Sequence, residues 1–248
     1  MAELPLLAAA WHDCPEGVGM ASTVRQGGVS AAPWHSLNLG LHVGDAKTAV
    51  LENRRRLQNR LPNVHPPQWL NQVHGTAVAH FTGPEPHHAQ PADAAYTQVP
   101  GLPLVILTAD CLPVLVASAD GTEVGAAHAG WRSLCGGVLE QLVAHFSAPA
   151  SALRVWLGPA IGPQAFVVGP EVRAAFCAHD PQASAAFIAG DDDRYYADLV
   201  QLAQQRLYAL GIRQVSGGCW CTWSDSDRFY SYRREGQTGR MASLIWRR

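Results

Sequence analysis

Apolar residues form short continuous runs through the middle of the chain and take helical spacing on either side. Leu104–Ala109 and Leu112–Ser118 are rich in Val, Ile and Leu, Asp120-Gly121 is a hairpin turn signal, and Glu123–His128 returns as a third run. Runs of this length, bounded by turn residues, predict buried strands. Lys47–Leu61 instead places apolar residues at 50, 51, 57 and 61 among charges, which predicts an amphipathic helix. Arg132–Phe146 spaces Leu134, Val138, Leu139, Leu142 and Phe146 in the same way across Gly136-Gly137, and Asp198–Leu210 predicts a helix that stops at Gly211. Arg154–Leu157, Ala165–Val168, Phe229–Tyr232 and Met241–Trp246 predict short strands. Thr82–Pro91, with three prolines and the pair His87-His88, reads as a surface loop. Helices and strands mix without a regular βαβ alternation, so the expected class is α+β with a mixed sheet, not a doubly wound fold.

Composition narrows the function classes. The 248 residues are 48% hydrophobic, enough to bury one large core. A net charge of −2 gives no electrostatic footprint for nucleic acid or an anionic membrane. Six cysteines with no C-x-x-C pair are too sparse for a disulfide scaffold at this length. The first ten residues carry Glu3 and no basic start, which makes a poor signal peptide and a run far too short to span a bilayer. The expectation is a soluble, reduced, cytoplasmic protein.

No phosphate-binding Gly-rich loop, dinucleotide fingerprint, nucleophile elbow, H-E-x-x-H motif or zinc-deaminase signature occurs in the chain. One positive feature follows from hairpin geometry. With Asp120-Gly121 as a two-residue turn, His128 faces Pro113, and Cys111 lies two residues further on the same side. Diagonal neighbours of this kind are about 7–8 Å apart, close enough for a thiolate and an imidazole to share a metal or a proton. His74, in Asn71-Gln-Val-His-Gly75, is a third candidate for the set, and three protein ligands with one open position is the pattern of catalytic zinc. A Cys–His nucleophilic pair is the rival chemistry, and spacing alone does not choose between them. Trp131 and Trp220 read as packing residues, and Arg54-Arg55-Arg56 as the solvated face of a helix.

Several segments together carry a resemblance: Arg25-Gln-Gly-Gly-Val-Ser30, Ser36-Leu-Asn-Leu-Gly40, His42-Val-Gly-Asp45, Asn71-Gln-Val-His-Gly75, Thr108-Ala-Asp-Cys-Leu-Pro113, His128-Ala-Gly-Trp-Arg132, Gly158-Pro-Ala-Ile-Gly162, Phe229-Tyr-Ser-Tyr-Arg-Arg234 and Gly239-Arg240. In order and over nearly the whole chain, they resemble the YfiH/laccase-domain family. The resemblance implies a single domain over residues 1–248, with mixed β-sheets packed centrally and α-helices flanking them. It implies a zinc ion bound by His74, Cys111 and His128, with copper also accepted in vitro. The implied activity is that of a purine nucleoside phosphorylase. Such an enzyme converts adenosine, inosine or 5′-methylthioadenosine, with inorganic phosphate as co-substrate, to free base and pentose 1-phosphate. Adenosine deaminase activity in the same site is implied as well. A copper-dependent, laccase-like polyphenol oxidase is the alternative, and a metal-free Cys–His hydrolase a further one. The implied partners are small purine nucleosides and phosphate, with no nucleic acid and no membrane.

Within that reading Asp110 joins the catalytic set as the residue that orients a ligand. Arg25, Arg54, Arg132 and Arg240 are the phosphate candidates, because a planar guanidinium gives bidentate hydrogen bonds. Arg25 and Arg132 are preferred since each flanks a Gly-rich motif, and the helix after Trp131 would add N–H donors. Asn38, His42 and Asp45 are expected to bind ribose or relay protons. The chain departs from the family pattern in having Val24 before Arg25, where Thr is usual, and Val167 in Phe166-Val-Val-Gly169, where many members have Glu.

Overall fold

A computed structural model describes residues 4–8, 11–61, 63–85 and 90–248. Its strands are β1 (Val18–Ser22), β2 (Leu70–Asn71), β3 (Val78–Phe81), β4 (Gln90–Pro91), β5 (Ala94–Thr97), β6 (Leu104–Thr108), β7 (Leu112–Ser118), β8 (Val124–Ala129), β9 (Leu153–Leu157), β10 (Val167–Val168), β11 (Phe187–Ala189), β12 (Tyr195–Ala197), β13 (Gln214–Gly217) and β14 (Met241–Arg247). Its α-helices are α1 (Lys47–Arg60), α2 (Trp131–Gly136), α3 (Val138–Val143), α4 (Pro170–His179), α5 (Leu199–Ala209) and α6 (Tyr232–Glu235).

Strand periodicity sorts these elements into layers. Six strands form a mixed sheet in the order β13-β9-β7-β8-β5-β3, antiparallel at its centre and parallel at both edges. Val114 and Val116 of β7 point one way, into a core shared with Leu134, Val138, Leu139 and Leu142 of α2 and α3 and with α4 and α5. Leu115 and Ala117 point the other way, against Leu104 and Ile106 of β6 and Met241 and Ile245 of β14. Those last strands belong to a second, antiparallel sheet, β1-β14-β6. Its outer face, with Val105, Leu107, Ala242 and Leu244, is covered by Leu57 of α1 and by Leu37 and Leu39. Each fully buried aliphatic side chain removed from water in these layers contributes about 1.5–3 kcal/mol. The class is α+β, as expected, with two sheets at the centre and helices outside.

The β7–β8 hairpin has the predicted register, with Pro113 opposite His128 and Leu112 opposite Ala129. Two other predictions are corrected. The helix expected over Arg132–Phe146 is two helices, because Gly137 takes φ +96° between them, a left-handed conformation that ends one helix and starts the next. Phe229–Tyr232 is not a strand: Phe229 and Tyr230 are buried in a loop and α6 begins at Tyr232. The pair His87-His88 lies outside the described residues. Among the described residues no helix is long and apolar enough to cross a membrane.

Candidate active site

Two turns and one strand bring the candidate ligands together. β6 ends at Thr108 and β7 begins at Leu112, and in the gap Asp110 has φ +94°, which swings the chain so that Cys111 emerges at the end of the sheet. That strained residue is tied down: its carboxylate accepts from Thr222 Oγ1 at 2.6 Å and from Arg233 N at 2.7 Å, and its carbonyl accepts from Ile161 N at 2.9 Å. His128 lies buried on β8. His74 sits in a tight turn at φ +58°, exposed toward solvent. The ligating atoms of His74, Cys111 and His128 lie within 4.8 Å of one another, and Cys111 Sγ is 3.9 Å from His74 Nε2. Gly130 permits this approach, since a Cβ there would meet Cys111 Sγ at 3.0 Å and His74 Cδ2 at 3.2 Å.

Asp93 holds two of the three ligands. Its buried carboxylate accepts from His128 Nδ1 at 2.8 Å, which leaves Nε2 of that ring free to face the cluster. The same group accepts from the backbone N–H of Val73 (3.0 Å), His74 (3.0 Å) and Gly75 (2.6 Å), so it fixes the turn that carries the second imidazole. Burial alone would raise the Asp93 pKa, but these donors outweigh it and keep the carboxyl ionised below its usual range. Burial likewise opposes charge on Cys111 and His128, and each is overcome by the other. The imidazole favours the thiolate, and the thiolate with Asp93 favours the imidazolium. A metal cation and the imidazolium proton compete for the same place. A thiolate, two imidazoles and no fourth protein donor among the described residues make a donor set that fits zinc, and also copper.

The cluster opens into a cavity of about 420 Å³, lined also by His42, Gln72, Thr108, Tyr232 and Arg240. Of the residues singled out from sequence, His42, His74, Cys111, His128 and Arg240 therefore meet there. Asn38 is fully buried and structural in its contacts: it accepts from Gly40 N and Arg240 N and donates to Asp45. Asp45 in turn accepts from Ser30 Oγ at 2.6 Å. The Asp110 carboxylate bonds Thr222 and Arg233, not a ring nitrogen, so it bears on the cluster through the turn before Cys111, whereas the carboxylate on His128 Nδ1 is that of Asp93. Arg25 is ion-paired with Glu235 at 2.8 Å, and exposed Arg132 lies over the Trp131 ring at 4.4 Å. Arg54 is not part of a solvated face: half-buried, it stacks on Trp69 with 3.7 Å between Cζ and the ring centre, and burial pushes its pKa down to about 10. Val167 lies outside the cavity lining, with its carbonyl held by Arg233.

Three residues of the site were not picked out from sequence. Asp93 had a signal, a lone carboxylate within the apolar stretch Ala92–Tyr96. Gln72 and Tyr232 stand inside segments already noted. The Gln72 amide bonds both Leu107 N and Leu107 O at 2.8 Å, standing in for a strand partner beside the cavity.

The sequence profile of the multi-copper polyphenol oxidoreductase laccase family matches residues 19–248. The chain belongs to this family. Among relatives of this laccase-like family, purine nucleoside phosphorylase YfiH of Escherichia coli (strain K12) is 52% identical over 243 residues, 97% of this chain and 98% of that protein. Purine nucleoside phosphorylase PA4543 of Pseudomonas aeruginosa is 52% identical over 233 residues, 94% of each chain. Among solved structures, the Neisseria meningitidis protein NMB0706 superposes with a TM-score of 0.92 at 43% identity, covering 98% of both chains. Bacillus licheniformis YfiH gives a TM-score of 0.89 at 29% identity, covering 100% of this chain and 97% of that one.

Proposed function

We propose that the protein is a zinc-dependent purine nucleoside phosphorylase acting on adenosine, inosine and 5′-methylthioadenosine, with adenosine deamination in the same site. The observation that carries this reading is the meeting of a thiolate and two imidazoles at the wall of a cavity that also holds an arginine. Relatives over almost the whole chain bear the phosphorylase name, which supports it. A volume of about 420 Å³ suits a nucleoside, since small-molecule sites run from about 300 to 1,000 Å³.

In phosphorolysis the N-glycosidic bond breaks, a phosphate oxygen bonds to the anomeric carbon, and the base leaves with the bonding electron pair and takes up a proton. His74, Cys111 and His128 would hold zinc, which when bound supplies a Lewis acid to draw charge from a substrate atom or to make water more acidic. Asp93 keeps the His128 ring turned toward the cluster. Tyr232, exposed at the cavity wall, offers a face on which a purine can stack. Arg240 offers positive charge to the phosphate. Asp110 acts on the site through the backbone, by fixing the turn before Cys111. The family's laccase description favours a second reading, copper-dependent phenol oxidation, because the same donors accept copper.

The test is chromatographic. Zinc-loaded protein is incubated with adenosine, with and without phosphate, beside Cys111→Ala. Adenine formed only with phosphate and absent in the variant supports the phosphorylase, and inosine formed without phosphate supports the deaminase. Intact adenosine, inosine and methylthioadenosine in zinc-loaded protein would overturn the reading, and phenol oxidation by copper-loaded protein would then take its place.

A further inference from the structure

A glycine on the central sheet sets up a second cluster of rings, outside the cavity lining. Gly125 of β8 lies opposite Tyr96 of β5, and a Cβ there would meet Leu142 Cδ1 at 2.8 Å and Phe146 Cε2 at 3.2 Å. With no side chain in the way, α3 and the residues after it come down onto the sheet, and the Phe146 ring meets the Tyr96 ring edge to face at 5.1 Å. His145, one residue earlier, is thereby set beside the same tyrosine, at 5.9 Å. From the other side His80 of β3 pairs in register with Tyr96 and packs edge to face against its ring at 5.1 Å. Two exposed imidazoles, one from a strand and one from the end of a helix, therefore face each other with ring centres 6.3 Å apart.

The nitrogens of both rings are available. His145 Nδ1 donates to Gln141 O at 3.0 Å, which fixes a proton on that nitrogen and leaves Nε2 as the ligating atom of the neutral ring. A ring held to a carbonyl by its far N–H is the arrangement of a metal-ligating histidine. Among the described residues neither nitrogen of His80 has a hydrogen-bond partner. β3 is the edge strand of its sheet, so no further strand among the described residues covers that ring. Tyr96 is no third ligand, because its hydroxyl is given to Glu123 Oε1 at 2.5 Å, and burial and that carboxylate push its pKa up. Metal–nitrogen bonds of about 2.0–2.1 Å put two rings on one ion with centres roughly 5 Å apart at a tetrahedral angle. The observed pair has to close by roughly 1 Å, which the broad χ2 torsion of an exposed histidine supplies.

We propose that His80 and His145 form a second metal site, a two-imidazole clip for a divalent cation of the zinc and copper class, with water in the remaining positions. Imidazole suits both metals, and copper binds the more tightly of the two. A cation held there ties the edge strand β3 to the end of α3. Neither histidine lines the cavity, so the site does not depend on the phosphorylase reading. Copper taken up by the protein then has two places to go, and copper content alone does not place copper at the cluster of His74, Cys111 and His128.

The experiment takes protein already carrying one equivalent of zinc and titrates it calorimetrically with further zinc. It compares the parent with His80→Gln, His145→Gln and a control at another exposed histidine, His65→Gln. A second, weaker equivalent is expected in the parent and the control. In each of the other two variants it should weaken at least tenfold, since losing even a partner that only orients a ligand costs about 10- to 100-fold. Melting gives an independent readout: zinc at a hundredfold excess over the second Kd should raise the parent Tm by about 5–11 °C, and the Tm of either variant by far less. Each shift is read against the same protein without added zinc, so a fold defect in one variant does not decide the result. A parent that takes up no second equivalent overturns the clip. A second equivalent that survives in both variants means an adventitious ion only, and one lost in a single variant means one imidazole without a partner; either result overturns the pair. A first equivalent that weakens together with the second shows that the two sites are not separate and overturns the proposal as well.

Discussion

Replacing Asp93 with Asn changes one atom and tests how the site is held. Oδ1 receives His128 Nδ1 and His74 N, and Oδ2 receives Val73 N and Gly75 N. All four partners are N–H donors when His128 ligates through Nε2. An amide has one oxygen and one NH2, so whichever way Asn is turned, its nitrogen meets two donors and two hydrogen bonds are lost. With the NH2 toward Oδ1's partners the His128 ring is released; with it toward Oδ2's partners the turn carrying His74 is released. Two such bonds to a buried charged acceptor cost about 1–3 kcal/mol each, toward the lower end at Val73 and Gly75, where water reaches the turn. For a chain of this length about 1 kcal/mol lowers Tm by 2–4 °C, so Asp93→Asn should melt about 4–24 °C lower. Zinc affinity should fall about 10- to 100-fold, the usual cost of losing a partner that orients a ligand. Competition with a chromophoric chelator measures the affinity, and calorimetry measures Tm. An Asp93→Asn protein that keeps zinc affinity within about twofold of the parent would refute the claim that this carboxylate positions the ligands.

Gly130→Ala should leave Tm nearly unchanged but weaken zinc binding about tenfold, because the added methyl presses on Cys111 Sγ and His74 Cδ2, and displacements of a few tenths of an ångström matter at a preorganised site; unaltered affinity would mean that the ligands approach with slack. Glu123 supplies a pH test away from the site. Burial opposes its charge, yet Ser147 N, the Tyr96 hydroxyl and Ala148 N outweigh burial and lower its pKa. A depressed carboxyl contributes stability that is present above the ordinary Glu value of about 4.3 and is lost as pH falls through the lower folded value. Glu123→Gln should therefore melt lower at neutral pH and show a shallower loss of Tm on acidification, and an equal slope in both proteins would contradict this account.

The fold was legible where a local rule fixes a long-range consequence. A two-residue turn at Asp120-Gly121 gives a register with His128 opposite Pro113 and near Cys111; that register is present, although the connection is the longer loop 119–122, closed by Gly121 N donating to Ser118 O at 2.8 Å. The break at Gly137 was not legible from apolar spacing, since Leu134, Val138, Leu139 and Leu142 all stay buried against the same sheet through the interruption. What changes there is the sign of one φ angle, which glycine permits and hydrophobic periodicity does not encode. Phe229–Tyr232 misled in the opposite sense, by looking like a strand because it is aromatic. Its backbone is satisfied outside a ladder: Phe229 O accepts from Arg234 Nη2 at 2.8 Å, and Phe229 N donates to Asp225 O at 3.0 Å.

The same distinction separates the arginines. A glycine beside Arg25 or Arg132 shows where the chain turns, but it carries no information about which edges of a guanidinium are already bonded. In the folded chain Arg25 joins Glu235 and two loop carbonyls, so its charge helps hold the loop before α6 together. Arg54 and Arg240 are held by carbonyl contacts instead, and among the described residues neither pairs with a carboxylate. Asp93 is a carboxylate with no arginine within ion-pair distance among the described residues, bonded instead by the His128 ring and three backbone amides. Both features depend on partners far away in sequence. They become readable only once β5 and β8 are paired, which brings Asp93 beneath His128, and once β14 has carried Arg240 to the carbonyl-rich turn at Leu39.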